Sequence, residues 1–157
     1  MNIKKCTDLH IISREDWRDV TGILAECLAR GSREYFSYIE NSVFPDKNLQ
    51  IFADNIECTK FQIQQYKSGD KFEWHIDDAY DEKRLLAFIW YLNSVKPEDG
   101  GSTEFINEKH IQPTEGSILF FPATWSYLHK GNVIKNGEKY IITGFIRQSD
   151  LKICKKV

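Results

Sequence analysis

No stretch of the chain is apolar over the length of a membrane span, so a helical crossing is not expected. Charge of one sign is lacking too. The 21 basic and 23 acidic residues leave a net charge of −2, without the basic footprint that nucleic acid or an anionic membrane surface requires. Cysteine is sparse and scattered. The four thiols, Cys6, Cys27, Cys58 and Cys154, include no CxxC pair, which argues against a zinc ribbon and suits reduced thiols in a cytoplasmic protein. The opening Met1-Asn2-Ile3-Lys4-Lys5-Cys6 runs into no apolar core, so no secretory leader is expected. Internal repeats, low-complexity segments and linkers are all missing. A chain of 157 residues then suggests a single domain over 1–157, with a helical front over about 1–45 and a core over about 50–147.

What is present is a change of hydrophobic period. Ser13 stands as an N-cap ahead of Glu15 and Asp16, and Trp17, Val20, Leu24, Cys27 and Leu28 follow at helical spacing, predicting a helix over about 14–29. Tyr35, Phe36, Ile39 and Val43 predict a second helix over about 33–43, ending before Pro45. From Gln50 onward the period is two. Between Cys58 and Tyr66, Phe61 and Ile63 share one face while Lys60, Gln62, Gln64 and Tyr66 share the other. Leu85 to Leu92 is nearly all apolar, as a strand covered on both sides would be. Ser117 to Phe121, Tyr127 to His129 and Glu138 to Arg147 are further strands, set apart by turn chemistry at Pro97–Gly101, Pro113–Gly116 and Asn136-Gly137. The pattern predicts a mainly β fold with N-terminal helices packed outside a sandwich or jelly-roll barrel. The polar strand face implies a wet cavity within it.

Metal-ligating side chains fall on that framework. On extended backbone His75 and Asp77 of His75-Ile76-Asp77 project to one face, and Trp74 and Ile76 to the other. A third ligand must come from elsewhere in the sheet. His129 is the best candidate and His110, near the Asn107-Glu108 turn, is the fallback; His10 lies ahead of the helices. Two neutral imidazoles and one carboxylate can occupy one face of an octahedral ferrous ion, with the opposite positions open to substrates. A cupin-like module that binds a metal or ligand without turnover would use the same three residues.

The motifs continue beyond the ligands. Tyr66, His75-x-Asp77, Tyr91-Leu92-Asn93, Gly100-Gly101-x-Thr103-x-Phe105, Pro113-x-x-Gly116, Phe121-Pro122, His129-x-Gly131 and Lys139-Tyr140-x-x-Thr143 stand in this order along the chain. Together they resemble the iron(II) and 2-oxoglutarate-dependent dioxygenases, specifically the prolyl 4-hydroxylase-like branch, from about Phe61 to Arg147. The resemblance implies a double-stranded β-helix, or jelly roll, with iron at its mouth. It also implies a reaction in which 2-oxoglutarate and dioxygen become succinate and carbon dioxide while a substrate C–H bond is hydroxylated, with ascorbate a candidate reductant.

Several residue roles follow from the resemblance. Lys139 matches the position of the cation that holds the far carboxylate of 2-oxoglutarate. Thr143 shares its strand face. Arg147 shares the face too but lies roughly 26 Å along at about 3.3 Å per residue, so it is expected to contact substrate or form an ion pair, and is the alternative cation. Tyr66 and Tyr91 match tyrosines that contact the cosubstrate or line its pocket. Trp125, four residues ahead of His129, and Tyr80, in the acidic loop after Asp77, are candidates for substrate contact. A proline-containing peptide or protein is the expected substrate; a free amino acid or small metabolite is the alternative, and nucleic acid is disfavoured by the missing basic surface.

Overall fold

The computed structural model describes residues 3–11, 14–42, 56–59, 61–78 and 82–149. A 3-10 turn at Glu15–Trp17 leads into a single helix, α1, over Arg18–Ser42. The two expected helices are therefore one. The segment between them contains no proline, and a Cβ at its Gly31 would meet the Phe120 ring at 3.4 Å, an ordinary contact distance, so nothing there breaks the helix. The expected N-cap Ser13 and the helix end at Val43 to Pro45 lie outside the described residues.

The front of the chain is not purely helical. Two short strands, β1 (Lys4–Lys5) and β2 (Thr7–His10), precede α1, too short and too polar to show a period. Among the described residues nine strands follow: β3 (Ile56–Cys58), β4 (Gln62–Lys67), β5 (Lys71–His75), β6 (Arg84–Tyr91), β7 (Thr103–Phe105), β8 (His110–Ile111), β9 (Ile118–Pro122), β10 (His129–Gly131) and β11 (Glu138–Gln148). The segment expected as a strand from Tyr127 begins instead as a 3-10 turn, Trp125–Tyr127, and turns extended only at His129.

These strands build two antiparallel sheets, in the orders β1-β5-β10-β7-β8 and β2-β4-β11-β6-β9, with β3 added beside β11. The sheets face one another without closing into a barrel, and the fold is mostly β with one N-terminal helix. Strand β6 shows why its sequence is apolar throughout. Ala87, Ile89 and Tyr91 point between the sheets into one core cluster, with Phe105, Phe121 and Ile134. Phe88 points the other way, into a second cluster with Leu24 and Leu28 of α1. Each large buried side chain contributes about 1.5–3 kcal/mol of transfer free energy, so β6 is secured from both faces and serves as a fixed wall for the space between the sheets.

Candidate metal and cosubstrate site

A cavity of about 890 Å³ opens between the sheets, with His75, Asp77 and His129 in its wall. Pairing of β10 with β5 sets His129 opposite His75, which brings together candidate ligands distant in sequence. His75 Nε2 lies 3.6 Å from Asp77 Oδ1 and His129 Nε2 3.6 Å from Asp77 Oδ2. One donor atom from each of the three residues lies within 4.8 Å of the others. Both rings are held at the far side. His75 Nδ1 contacts the Glu73 carbonyl at 2.7 Å and His129 Nδ1 the Tyr127 carbonyl at 3.0 Å. A carbonyl only accepts, so each Nδ1 carries the proton and each Nε2 presents a lone pair to the shared point.

Packing fixes the ring planes. Phe72 stacks on His75 at 3.6 Å, and Phe105 and Phe121 flank His129. Burial lowers the pKa of both imidazoles, helped at His75 by the neighbouring His129, so both are held in the neutral, ligating form. Burial raises the pKa of Asp77, against the opposing pull of His75 and Arg84. A buried carboxylate facing two neutral imidazoles is short of positive charge, which a divalent ion would supply. The donor set therefore fits ferrous iron. His110 is not part of it: its ring is exposed and lies 3.8 Å from Glu104.

Sequence reasoning missed Arg84. Its Nη1 donates to the Asp77 backbone carbonyl at 2.8 Å, its other nitrogens hold Glu82, and its guanidinium lies over the Phe145 ring. Its position as the one charged residue opening the apolar strand β6 was the available signal.

Away from these three candidate ligands, Lys139 is 3% exposed and lines the cavity. Its Nζ donates to the Gly101 carbonyl at 2.8 Å and lies over the Tyr66 ring, and burial lowers its pKa to about 8. Gly101 can bring its carbonyl this close because its φ of +72° and the Ile134 side chain, 2.3 Å from where a Cβ would stand, leave room for glycine alone. Tyr66 and Thr143 line the same cavity, and burial keeps the Tyr66 phenol protonated by raising its pKa.

The remaining expected residues are less directly placed. Tyr91 is fully buried with its hydroxyl bonded to Thr103 Oγ1 at 2.8 Å, so Thr103 rather than Tyr91 reaches the cavity. Arg147 lies at the cavity's edge with Nε 2.8 Å from Glu57 Oε1, a close ion pair not aligned as a hydrogen bond. Trp125 is 79% exposed and stands outside the cavity wall, because the 3-10 turn directs it to solvent. Tyr80 lies outside the described residues.

The model of the 2OG-Fe(II) oxygenase superfamily matches residues 61–147. The chain belongs to that superfamily. Its cofactors are accordingly iron(II), 2-oxoglutarate and dioxygen. The oxygenase is 26% identical, over 158 residues, to a PKHD-type hydroxylase of Prochlorococcus marinus strain MIT 9215, covering 92% of this chain and 71% of that protein. It is 26% identical to a probable prolyl 4-hydroxylase of Arabidopsis thaliana over 120 residues, 57% of this chain and 41% of that one. Among solved structures, the viral collagen prolyl hydroxylase of Paramecium Bursaria Chlorella virus-1, in its 2OG complex, superposes with a TM-score of 0.68 at 22% identity, covering 92% of the oxygenase and 80% of that chain. A Trichoplax adhaerens prolyl hydroxylase bound to a hypoxia inducible factor peptide fragment gives 0.70 at 19% identity, covering 93% and 64%. The oxygenase shares their jelly-roll fold.

Proposed function

We propose that the protein hydroxylates prolyl residues in a peptide or protein, with iron held by His75, Asp77 and His129 and 2-oxoglutarate anchored by Lys139. The observation that carries this reading is the buried ammonium of Lys139, bonded to a single carbonyl and aimed into the cavity that the three metal ligands also line. A desolvated cation in that place calls for an anion, and a metal-only binding module would have no use for it. When bound, iron with 2-oxoglutarate and dioxygen supplies the oxidising power for C–H hydroxylation, coupled to release of succinate and carbon dioxide.

The chain's own residues bind, orient and exclude water. Lys139 neutralises one carboxylate, Thr143 and Tyr66 offer hydroxyls beside it, and the rings of Phe72, Phe105 and Phe121 keep solvent from the histidines. No side-chain acid or base is required. Support for a prolyl substrate comes from the PKHD-type and prolyl 4-hydroxylase relatives and from a ring that loses little freedom on binding. We place the reaction in the cytoplasm, where free Cys6, Cys27 and Cys58 stay reduced, and with ascorbate as reductant. The test is to supply iron(II), 2-oxoglutarate and ascorbate and measure succinate with and without proline-rich peptides. Peptide-stimulated succinate, with about 16 Da added at proline, is the expected result. Oxygen found only on another residue type, or turnover with free proline alone, overturns the substrate assignment.

A further inference from the structure

One amide joins two of the hydroxyls in the cavity wall, those of Tyr66 and Thr143. Tyr66 Oη donates to Gln64 Oε1 at 2.8 Å, while Gln64 Nε2 donates to Thr143 Oγ1 at 3.1 Å and to Gln62 Oε1 at 3.2 Å. The chain ends at the cavity mouth, where Gln62 Nε2 lies 3.5 Å from His10 Nε2. Gln64 is 5% exposed, and Gln64, Tyr66 and Thr143 all line the cavity. Their positions follow from register: Gln64 and Tyr66 alternate along β4, and Gln62 stands opposite Thr143 of β11.

A carboxamide offers an acceptor at one end and donors at the other. In the orientation described, the amide takes the Tyr66 proton and donates to Thr143, whose own proton is left for another acceptor. Half a turn of the amide reverses this. Its nitrogen then donates to Tyr66 Oη, freeing the phenolic proton, and its oxygen accepts from Thr143. The two ends have nearly the same shape, so the turn needs no repacking; Gln62 turns with it at the less buried end. In either orientation one hydroxyl proton is committed to the amide and one is available to a ligand.

We propose that Gln64 is a positioning residue of the cosubstrate pocket, a reversible amide that lets Tyr66 or Thr143, but not both together, donate a hydrogen bond to bound 2-oxoglutarate. This rests on the reading of the cavity as the 2-oxoglutarate pocket. A purely structural Gln64 would fill space without linking the two hydroxyls.

The experiment measures the 2-oxoglutarate dissociation constant by calorimetry on iron(II)-loaded protein without oxygen, so that no turnover occurs. In the wild-type background, Tyr66→Phe and Thr143→Val should each weaken binding less than about threefold, because the amide redirects the surviving proton, whereas the double variant should lose about tenfold or more. In a Gln64→Met background both hydroxyls donate independently, and the same two losses should multiply. Multiplying losses in the wild-type background overturn the proposal. So does a Gln64→Met protein that binds 2-oxoglutarate as weakly as the double variant. Gln64→Leu replaces Gln64→Met if the latter does not fold, as read by circular dichroism. Lys139→Ala run alongside separates the two readings: tight 2-oxoglutarate binding in that variant overturns the pocket assignment itself, whatever the cycle shows.

Discussion

Lys139 is where burial and function meet most directly. Its pKa is lowered to about 8 by burial, below the ordinary lysine value of 10.5, so in the ligand-free cavity Lys139 is a charged ammonium below about pH 8 and a neutral amine above it. An anion binds the charged form. The apparent KM for 2-oxoglutarate should therefore rise toward about tenfold per pH unit above pH 8, a slope that Lys139→Met abolishes. The same group makes a linked stability prediction. Between about 8 and 10.5 the unfolded chain binds the proton that the folded one has released, so the ligand-free protein gains stability from this group as pH rises through that window. Lys139→Ala should raise the dissociation constant for 2-oxoglutarate at least about thirtyfold, as expected for loss of a buried charge partner. Arg147→Ala, which removes an ion pair at the cavity edge, should leave it within about twofold. At the metal, alanine at His75, Asp77 or His129 should abolish iron binding while the far-ultraviolet circular dichroism stays β-rich. His110→Ala should bind iron normally; a metal-binding loss there would reinstate it as a ligand. Arg84→Met, removing the clasp on the Asp77 carbonyl, should weaken iron about 10–100-fold.

At the scale of elements, the turn leading to β7 carries more of the site than its glycines suggest. Gly100 has φ +80°, and a Cβ there would stand 2.2 Å from the Val133 carbonyl oxygen. That neighbour is backbone and cannot yield cheaply. Gly100→Ala should cost about 2–5 kcal/mol from strain and overlap, a fall in Tm of about 5–15 °C. It should also weaken 2-oxoglutarate binding, because the displaced turn carries the Gly101 carbonyl that holds Lys139. A variant with unchanged Tm would refute the steric account. The helix gives the opposite lesson about glycine. Gly31 stands between the two helices expected over about 14–29 and 33–43, yet α1 runs through it, so the packing of the whole helix offsets a propensity cost of about 1 kcal/mol.

For the molecule as a whole, the two sheets hold the site between them, so metal and cosubstrate should stabilise the entire fold. Saturating iron(II) with 2-oxoglutarate at about a hundred times its dissociation constant should add roughly 3 kcal/mol, seen as a rise in Tm of about 5–10 °C that a chelator reverses. Succinate should not reproduce the full shift, since it lacks the keto oxygen. The amino-acid sequence by itself determined whatever depends on one segment. His75 and Asp77 are neighbours because one residue separates them, Gln62, Gln64 and Tyr66 share a face because β4 has a period of two, and β6 is apolar throughout because both of its faces are covered. Only the tertiary structure decided what depends on which segments adjoin. Pairing of β10 with β5 set His129, and not His110, beside His75 and Asp77, chain entry through β1 and β2 joined the front to both sheets, and a 3-10 turn sent Trp125 outward. The partners of Lys139 and the amide between Tyr66 and Thr143 belong to the same class. Such neighbours are set by the summed packing and register of strands far apart in the chain, a balance of many small contacts that no local spacing records.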